Sequence, residues 1–231
     1  MKPRTAAIIQ ARMGSSRLPG KVMLPLGGQS MLTYLVDRIS RSRSVDTILV
    51  ATTTHPRDNV IIQECETHGI PCCRGDEFDV LGRYVQAAGI ARADIIVRVT
   101  GDNPFTDPCS IDRAVAAIAP GGADYAIEMD LPAGTTGEAL THRALTFIDE
   151  VALIPRWREH VTLYAKEHPG TMNCAFLAPP PECHRPDLSF TVDQWAEYEY
   201  VRLLSDNLPN RDFELKNLVA IADEIAVRSF V

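Results

Sequence analysis

The feature that most constrains this chain is an alternation. Apolar runs that read as buried strands, Ala6 to Ile9, Val45 to Thr52 and Ala93 to Thr100, are separated by stretches with helical spacing. Strands buried on both faces pair in parallel, and parallel neighbours are joined by right-handed crossovers through helices. The expected fold is therefore α/β: a doubly wound, mostly parallel sheet with helices on both faces. Such sheets bind ligands beyond the C-terminal ends of their strands. The 231 residues, 45% hydrophobic and 23% charged, suit a single globular domain over 1–231.

Local signals fill in the other elements. Val22 to Leu26 reads as extended, before a turn at Gly27-Gly28. Ser30 is a suitable N-cap for a helix with Met31, Leu32, Leu35, Val36 and Ile39 on one face. A helix is expected from about Asp58 to His68, stopped by Gly69, and then a short extended piece, Ile70 to Cys73. Asp107-Pro108 opens a helix to about Ala119, followed by a loop at Pro120 to Ala123 and a strand at Asp124 to Glu128. Arg143 to Leu153 and Pro155 to Glu167 read as two helices, and Leu188 to Val192 as a returning strand. Two more helices complete the chain. One runs from Gln194 to about Leu204 with Trp195, Tyr198 and Val201 inward, and the other lies near Phe213 to Val227.

The first strand breaks into a loop holding Gly14, Ser15, Ser16, Pro19 and Gly20, with cations at Arg12, Arg17 and Lys21. A Gly/Ser loop after a strand lets backbone N–H groups converge on an anion, and the cations neutralise it. The chain carries a formal net charge of -7, yet no Asp or Glu precedes Asp37. A basic pocket kept free of carboxylates in an acidic chain suggests a polyphosphate; a solvated basic loop is the plain alternative. The motif is neither a Walker A loop nor a G-x-G-x-x-G dinucleotide turn.

Other features narrow the setting. No apolar run approaches the length needed to span a bilayer, and Met-Lys-Pro-Arg leads straight into a strand without a signal-peptide core. A cytoplasmic location is expected, with no membrane or nucleic-acid partner. The six cysteines, Cys65, Cys72, Cys73, Cys109, Cys174 and Cys183, show no metal-ligand spacing and are expected as free thiols.

The stretch Gln10-Ala11-Arg12-Met13-Gly14-Ser15-Ser16-Arg17-Leu18-Pro19-Gly20-Lys21 resembles the signature loop of the cytidylyltransferases of the spore-coat polysaccharide biosynthesis protein F type. These are relatives of the CMP-sugar-acid synthetases that activate sialic acid and Kdo. The resemblance covers nearly the whole chain and implies a Rossmann-like, nucleotide-diphospho-sugar transferase (GT-A-like) fold. It further implies Mg²⁺-dependent transfer of CMP from CTP to a sugar acid, with release of pyrophosphate, in surface polysaccharide biosynthesis. By it, the loop wraps the CTP triphosphate. Arg12, Ser15, Arg17 and Lys21 touch phosphate, with Arg12, Arg17 and Lys21 carrying catalysis and Gln10, Ala11 and Gly14 completing the nucleotide site.

Three further segments carry the resemblance. Arg74-Gly75-Asp76-Glu77-Phe78-Asp79 leads into a helix bearing Arg83. There Arg74, Gly75 and Arg83 are implied near the cytosine base, although the acids also suit helix capping. Gly101-Asp102-Asn103-Pro104 and Thr191-Val192-Asp193 imply Asp102 and Asp193 as Mg²⁺ ligands, Asp102 also belonging to the nucleotide site. Arg158 to Tyr164 implies His160 near the acceptor, and Gly134 to Glu138 implies Glu138 there too. Thr136 stands where relatives carry an acid. A region at about 128–178 is implied in acceptor binding and in a homodimer. Two rival readings remain at the level of sequence. A glycosyltransferase shares such a sheet but usually shows Asp-x-Asp, which Asp102-Asn103-Pro104 lacks; a non-catalytic nucleotide-binding subunit would bind without turnover.

Overall fold

The computed structural model describes residues 2–118, 121–210 and 212–228. The strands are β1 (Thr5–Gln10), β2 (Pro25–Leu26), β3 (Gln29–Ser30), β4 (Thr47–Thr53), β5 (Cys72–Gly75), β6 (Ile95–Thr100), β7 (Tyr125–Glu128), β8 (Glu138–Thr141) and β9 (Cys174–Leu177). The helices are α1 (Met31–Ile39), α2 (Asn59–Thr67), α3 (Val80–Ala91), α4 (Pro108–Ile118), α5 (His142–Val151), α6 (Pro155–His160), α7 (Leu163–Glu167), α8 (Trp195–Asn207) and α9 (Leu215–Arg228). Seven strands form one sheet in the order β5-β4-β1-β6-β8-β7-β9, and β2 and β3 form a small hairpin apart from it.

The sheet is mostly parallel. Strands β5, β4, β1 and β6 pair in parallel, as do β7 and β9, and β8 alone runs against both its neighbours. The two-residue period of β1 sorts its side chains between two cores. Ala6 and Ile8 pack with Leu81 and Tyr84 of α3 and with Leu145 and Ile148 of α5. Ala7 and Ile9 pack with Leu32 and Leu35 of α1 and Ile61 of α2. A third cluster joins Tyr34 and Phe105 to Phe190, Val192, Val201 and Leu218, fastening α8 and α9 to the α1 side of the molecule. The buried Tyr84 hydroxyl donates to the carbonyls of Ile8 at 3.1 Å and Val99 at 2.8 Å, tying α3 to the two central strands.

Several expected caps are present. Ser30 Oγ accepts from Thr33 N–H at 3.2 Å, Asp79 Oδ1 from Gly82 N–H at 2.9 Å, and Asp107 Oδ2 from Ser110 N–H at 2.9 Å. Gly69, at φ 65°, follows α2.

Four expectations are corrected, and two strands stand where none is expected. Leu188 to Val192 is extended but joins no sheet, because antiparallel β8 takes the place beside β6. It bonds instead to the loop before β8 through Ala133, and Val192 N–H donates to the carbonyl of Asp102 at 2.9 Å. The helix expected over Pro155 to Glu167 is two helices, broken at Val161 with φ 46°. Val22 to Leu26 begins inside a single 3₁₀ turn, Lys21–Met23. Glu138–Thr141 and Cys174–Leu177 are strands that four residues are too short to announce. Trp195, expected inward, is 54% exposed. Ala119 and Pro120, where a helix end and a loop are expected, lie outside the described residues. The six cysteines are free thiols, and among the described residues no helix is long and apolar enough to cross a membrane.

Candidate active site

A cleft of about 490 Å³ lined by the expected motifs opens at the C-terminal ends of β1 and β6. Strand order reverses here: the chain passes from β1 outward to β4 and β5, then returns to β6 on the other side. Loops leaving β1 and β6 diverge at such a point and leave a crevice.

The loop after β1 is held from below by Asp58, which is fully buried. Its carboxylate accepts from Met13 N–H at 2.8 Å and from the Thr53 hydroxyl. The Met13 carbonyl in turn accepts from Ser15 N–H at 3.0 Å and Gly20 N–H at 2.9 Å, closing the loop on itself. Gly20, at φ 75°, makes the return. A Cβ on Gly14 would strike the Arg57 guanidinium, which pairs with Glu77 beneath the loop. The N–H groups of Gly14, Ser16 and Arg17 have no acceptor among the described residues, as an anion cradle requires.

Three cations border this loop in different states. Arg12 is one-third exposed and donates to the Glu77 carbonyl at 3.2 Å, with Glu159 at 3.7 Å. Arg17 is mostly exposed and pairs with Asp193 Oδ2 at 2.8 Å. Lys21 is buried, and its ammonium donates to Asp102 Oδ2 at 2.6 Å, Asp193 Oδ1 at 2.8 Å and the Val192 carbonyl at 2.8 Å. Asp102 and Asp193, 91 positions apart in sequence, thus meet on one side chain. Gly101 lets the end of β6 lie close against the end of β1, since a Cβ there would stand 3.0 Å from the Gln10 carbonyl.

Gln10, Ala11, Arg12, Ser15, Arg17, Lys21, Arg83, Asp102, His160 and Asp193 all border the cleft. Other expected site residues stand behind it. Arg74 donates from Nε to the Thr53 carbonyl at 2.8 Å and from Nη2 to the His55 carbonyl at 3.2 Å, which turns it to the end of β4. Gly75 makes room for Arg83, whose Cγ would lie 2.8 Å from a Cβ at that position. Arg83 is buried and donates to the carbonyls of Asp76 and Glu77 at 2.5 and 3.1 Å, while its Nε has no partner. Desolvation lowers its pKa from the ordinary value.

Glu138 is also behind the wall. It is 6% exposed, on β8, with Arg98 at 2.6 Å, Lys166 at 3.2 Å and hydroxyl donors on Tyr125 and Thr162. Burial alone would raise its pKa; Arg98 above all, then Lys166 and the two hydroxyls, outweigh burial and hold the carboxyl down at about 2. The side chains Glu138 secures do face open space. Arg98 and His160 border both the main cleft and a hollow of about 270 Å³ shared with Arg156, Leu163 and Lys166. Val161, at φ 46°, turns the chain so that His160 faces the cleft while Thr162 is buried against Glu138. Such a conformation in a β-branched residue is costly, and strain of this kind gathers at functional sites.

Asp58, Arg98, Arg156 and Lys166 do not stand out in the sequence as site residues. Arg98 leaves one trace, a lone cation in the apolar run Ile95-Ile96-Val97-Arg98-Val99. Such a charge, buried mid-strand, must be paired.

Comparison with known proteins identifies the family and the fold. The Cytidylyltransferase family matches residues 6–223. The chain is 36% identical over 220 residues to "Spore coat polysaccharide biosynthesis protein SpsF" of Bacillus subtilis (strain 168), covering 93% of this chain and 92% of that one. A cytidylyltransferase structure from Leptospira borgpetersenii superposes with a TM-score of 0.90 at 27% identity, over 97% of this chain and 96% of that one. The CMP:2-keto-3-deoxy-manno-octonic acid synthetase complexed with CTP shares the fold, with a TM-score of 0.68 at 20% identity over 89% of this chain and all of that one. Its length, fold and sequence matched nearly end to end, the chain belongs to the cytidylyltransferase family and is an SpsF-like nucleotidyltransferase.

Proposed function

We propose that the protein transfers CMP from CTP to a hydroxyl of a sugar acid and releases pyrophosphate. The observation that carries this reading is the convergence of the loop amides, Arg12, Arg17 and Lys21 with Asp102 and Asp193 in one cleft. The acceptor oxygen attacks the α-phosphorus, the bond to the bridging α–β oxygen breaks, pyrophosphate leaves, and the acceptor proton passes to water. No covalent nucleophile is needed; positioning and charge neutralisation supply the rate. Arg12 and Arg17 hold the leaving phosphates, and buried Arg83 stands by the base. Arg98, Arg156, Lys166 and His160, on the second hollow, suit the negative charge of the acceptor.

Asp102 and Asp193 fit a divalent ion. They offer hard oxygen donors to one point, where the Lys21 ammonium now sits, and both are about one-quarter exposed. Among the described residues no third His, Cys, Asp or Glu joins them, which suits Mg²⁺, an ion that keeps waters and shares phosphate oxygens. When bound, Mg²⁺ would neutralise charge on the triphosphate. A protein of the same fold, Rv0371c of Mycobacterium tuberculosis, was solved in complex with manganese.

The test is pyrophosphate release with Mg²⁺ and each of CTP, UTP, ATP and GTP against a panel of sugar acids and sugar phosphates. Release is expected with CTP and an acidic sugar. Nucleoside diphosphate in place of pyrophosphate would assign a glycosyltransferase, and CTP binding without product from any acceptor would favour a non-catalytic subunit.

Asp58→Ala tests the loop support. Removing the acceptor of the Met13 N–H is expected to raise the KM for CTP about tenfold, equivalent to about 1.4 kcal/mol, with a smaller change in kcat. An unchanged KM would show that the loop holds its shape without Asp58.

A further inference from the structure

An ammonium has three donors and no acceptor. Those of Lys21 are all engaged, by Asp102 Oδ2, Asp193 Oδ1 and the Val192 carbonyl, so none is left for a phosphate. The same side chain occupies the point on which the two carboxylates converge. Arg17 covers the second oxygen of Asp193 at 2.8 Å. Two cations against two carboxylates leave no net negative charge to attract a metal ion, and the position between the carboxylates is filled. Lys21 rides on a flexible four-carbon stem at the 3₁₀ turn Lys21–Met23, just past the left-handed Gly20 and at the rim of the amide-rich loop.

We propose that Lys21 is a latch between two ligands. Without nucleotide it closes the Asp102–Asp193 pair and keeps a divalent cation out; when triphosphate enters, its oxygens draw the ammonium away and the pair opens. The inference rests on reading the cleft as a triphosphate site. It adds an order to binding, in which the metal ion is admitted with the nucleotide or after it. The exchange conserves charge pairing, since the ammonium leaves two carboxylates for phosphate as the metal replaces it. Coupling of this kind is reciprocal: nucleotide raises metal affinity by the factor by which metal raises nucleotide affinity.

The experiment measures Mn²⁺ binding without nucleotide, by the electron paramagnetic resonance of the free ion, in the wild type, Lys21→Met and Lys21→Gln. The variants are expected to bind one Mn²⁺ about tenfold or more tightly than the wild type, within the ~5–150-fold range of such couplings. Mn²⁺ should raise the Tm of the variants and leave that of the nucleotide-free wild type unchanged. Equal Mn²⁺ affinity in all three proteins would overturn the latch, showing that phosphates merely add ligands to an open site.

A second measurement needs no variant. Lys21 is one of four lysines in the chain, so its Cε resonance can be followed in ¹³C-lysine-labelled protein. CTP in the presence of a chelator should shift it, and an unmoved resonance with CTP bound would also overturn the latch. Failure of CTP to bind, read by calorimetry on the same samples, would overturn the triphosphate reading. The Mn²⁺ comparison would still judge the closed pair.

Discussion

Lys21→Ala is expected to lower CTP-dependent pyrophosphate release by about 10²–10³-fold, the usual loss when one stabiliser of developing charge is removed. Arg17→Ala costs less, about 10–10²-fold. The difference follows from their surroundings. Lys21 has a side chain 10% exposed, so water screens little of the charge it brings to the triphosphate. Arg17 is 60% exposed and must be ordered as the triphosphate arrives. In both variants kcat should fall more than KM rises, because the charge they meet is greatest as pyrophosphate departs. The fold should persist. Lys21 belongs to none of the apolar clusters, and the carboxylates it leaves are one-quarter exposed, so solvent softens the loss to about 1–2 kcal/mol. Turnover at the wild-type rate in Lys21→Ala, with an unchanged far-UV spectrum, would remove Lys21 from the mechanism. This variant sets turnover against metal admission: the change expected to improve Mn²⁺ binding in the empty site is also expected to slow the reaction.

Glu138→Gln is expected to lower the Tm by roughly 10–15 °C. Gln keeps the shape but leaves the Arg98 side chain, only 14% exposed, without its counter-charge, while Lys166 is exposed enough for water to compensate. Breaking such a pair costs about 3–5 kcal/mol, at about 2–4 °C per kcal/mol for a chain of this size. The pH dependence gives a separate signature. The carboxyl lies at about 2 in the folded protein against an ordinary 4.5. A lowered folded-state value means that its contribution is complete above about pH 4.5 and is lost as pH falls toward 2. The displacement corresponds to about 3 kcal/mol at neutral pH. Acid titration of stability should therefore show a steep decline in that window for the wild type and a shallower one for Glu138→Gln. A variant that melts within 2 °C of the wild type and keeps its acid profile would show that Glu138 holds nothing in place. A rise in acceptor KM alone, with stability intact, would restore Glu138 as a direct acceptor contact.

The two variants also mark how far the sequence could be read. Lys21 was legible because its motif is contiguous: strand, Gly/Ser loop and cations occur within 16 residues, Ala6 to Lys21, and local spacing expresses their chemistry. The α/β class was legible for a similar reason, since each strand and helix carries its own periodicity. Capping by Ser30, Asp79 and Asp107 depends on side chains reaching amides three residues away, again a local matter.

What escaped the sequence depends on contacts between distant segments. Asp58 reads as the start of a helix, and only the fold places its carboxylate under Met13, 45 positions away. Arg74 and Gly75 sit in a motif suggestive of the base, but hydrogen bonds to Thr53 and His55 turn Arg74 aside and leave Arg83 at the cleft. Glu138 carries a recognisable position, but its burial behind Arg98 follows from the antiparallel pairing of β8 with β6, in a strand too short to reveal itself.

The sequence by itself determined the α/β class and the Gly/Ser loop with its cations, because periodicity, turn chemistry and charge are properties of neighbouring residues; Asp102 and Asp193 were singled out by the resemblance. The tertiary structure alone decided that Lys21 closes the pair Asp102 and Asp193, that Leu188 to Val192 stays outside the sheet, and that Glu138 supports Arg98. Those outcomes turn on which segments become neighbours, and burial together with hydrogen-bond satisfaction sets that for the chain as a whole.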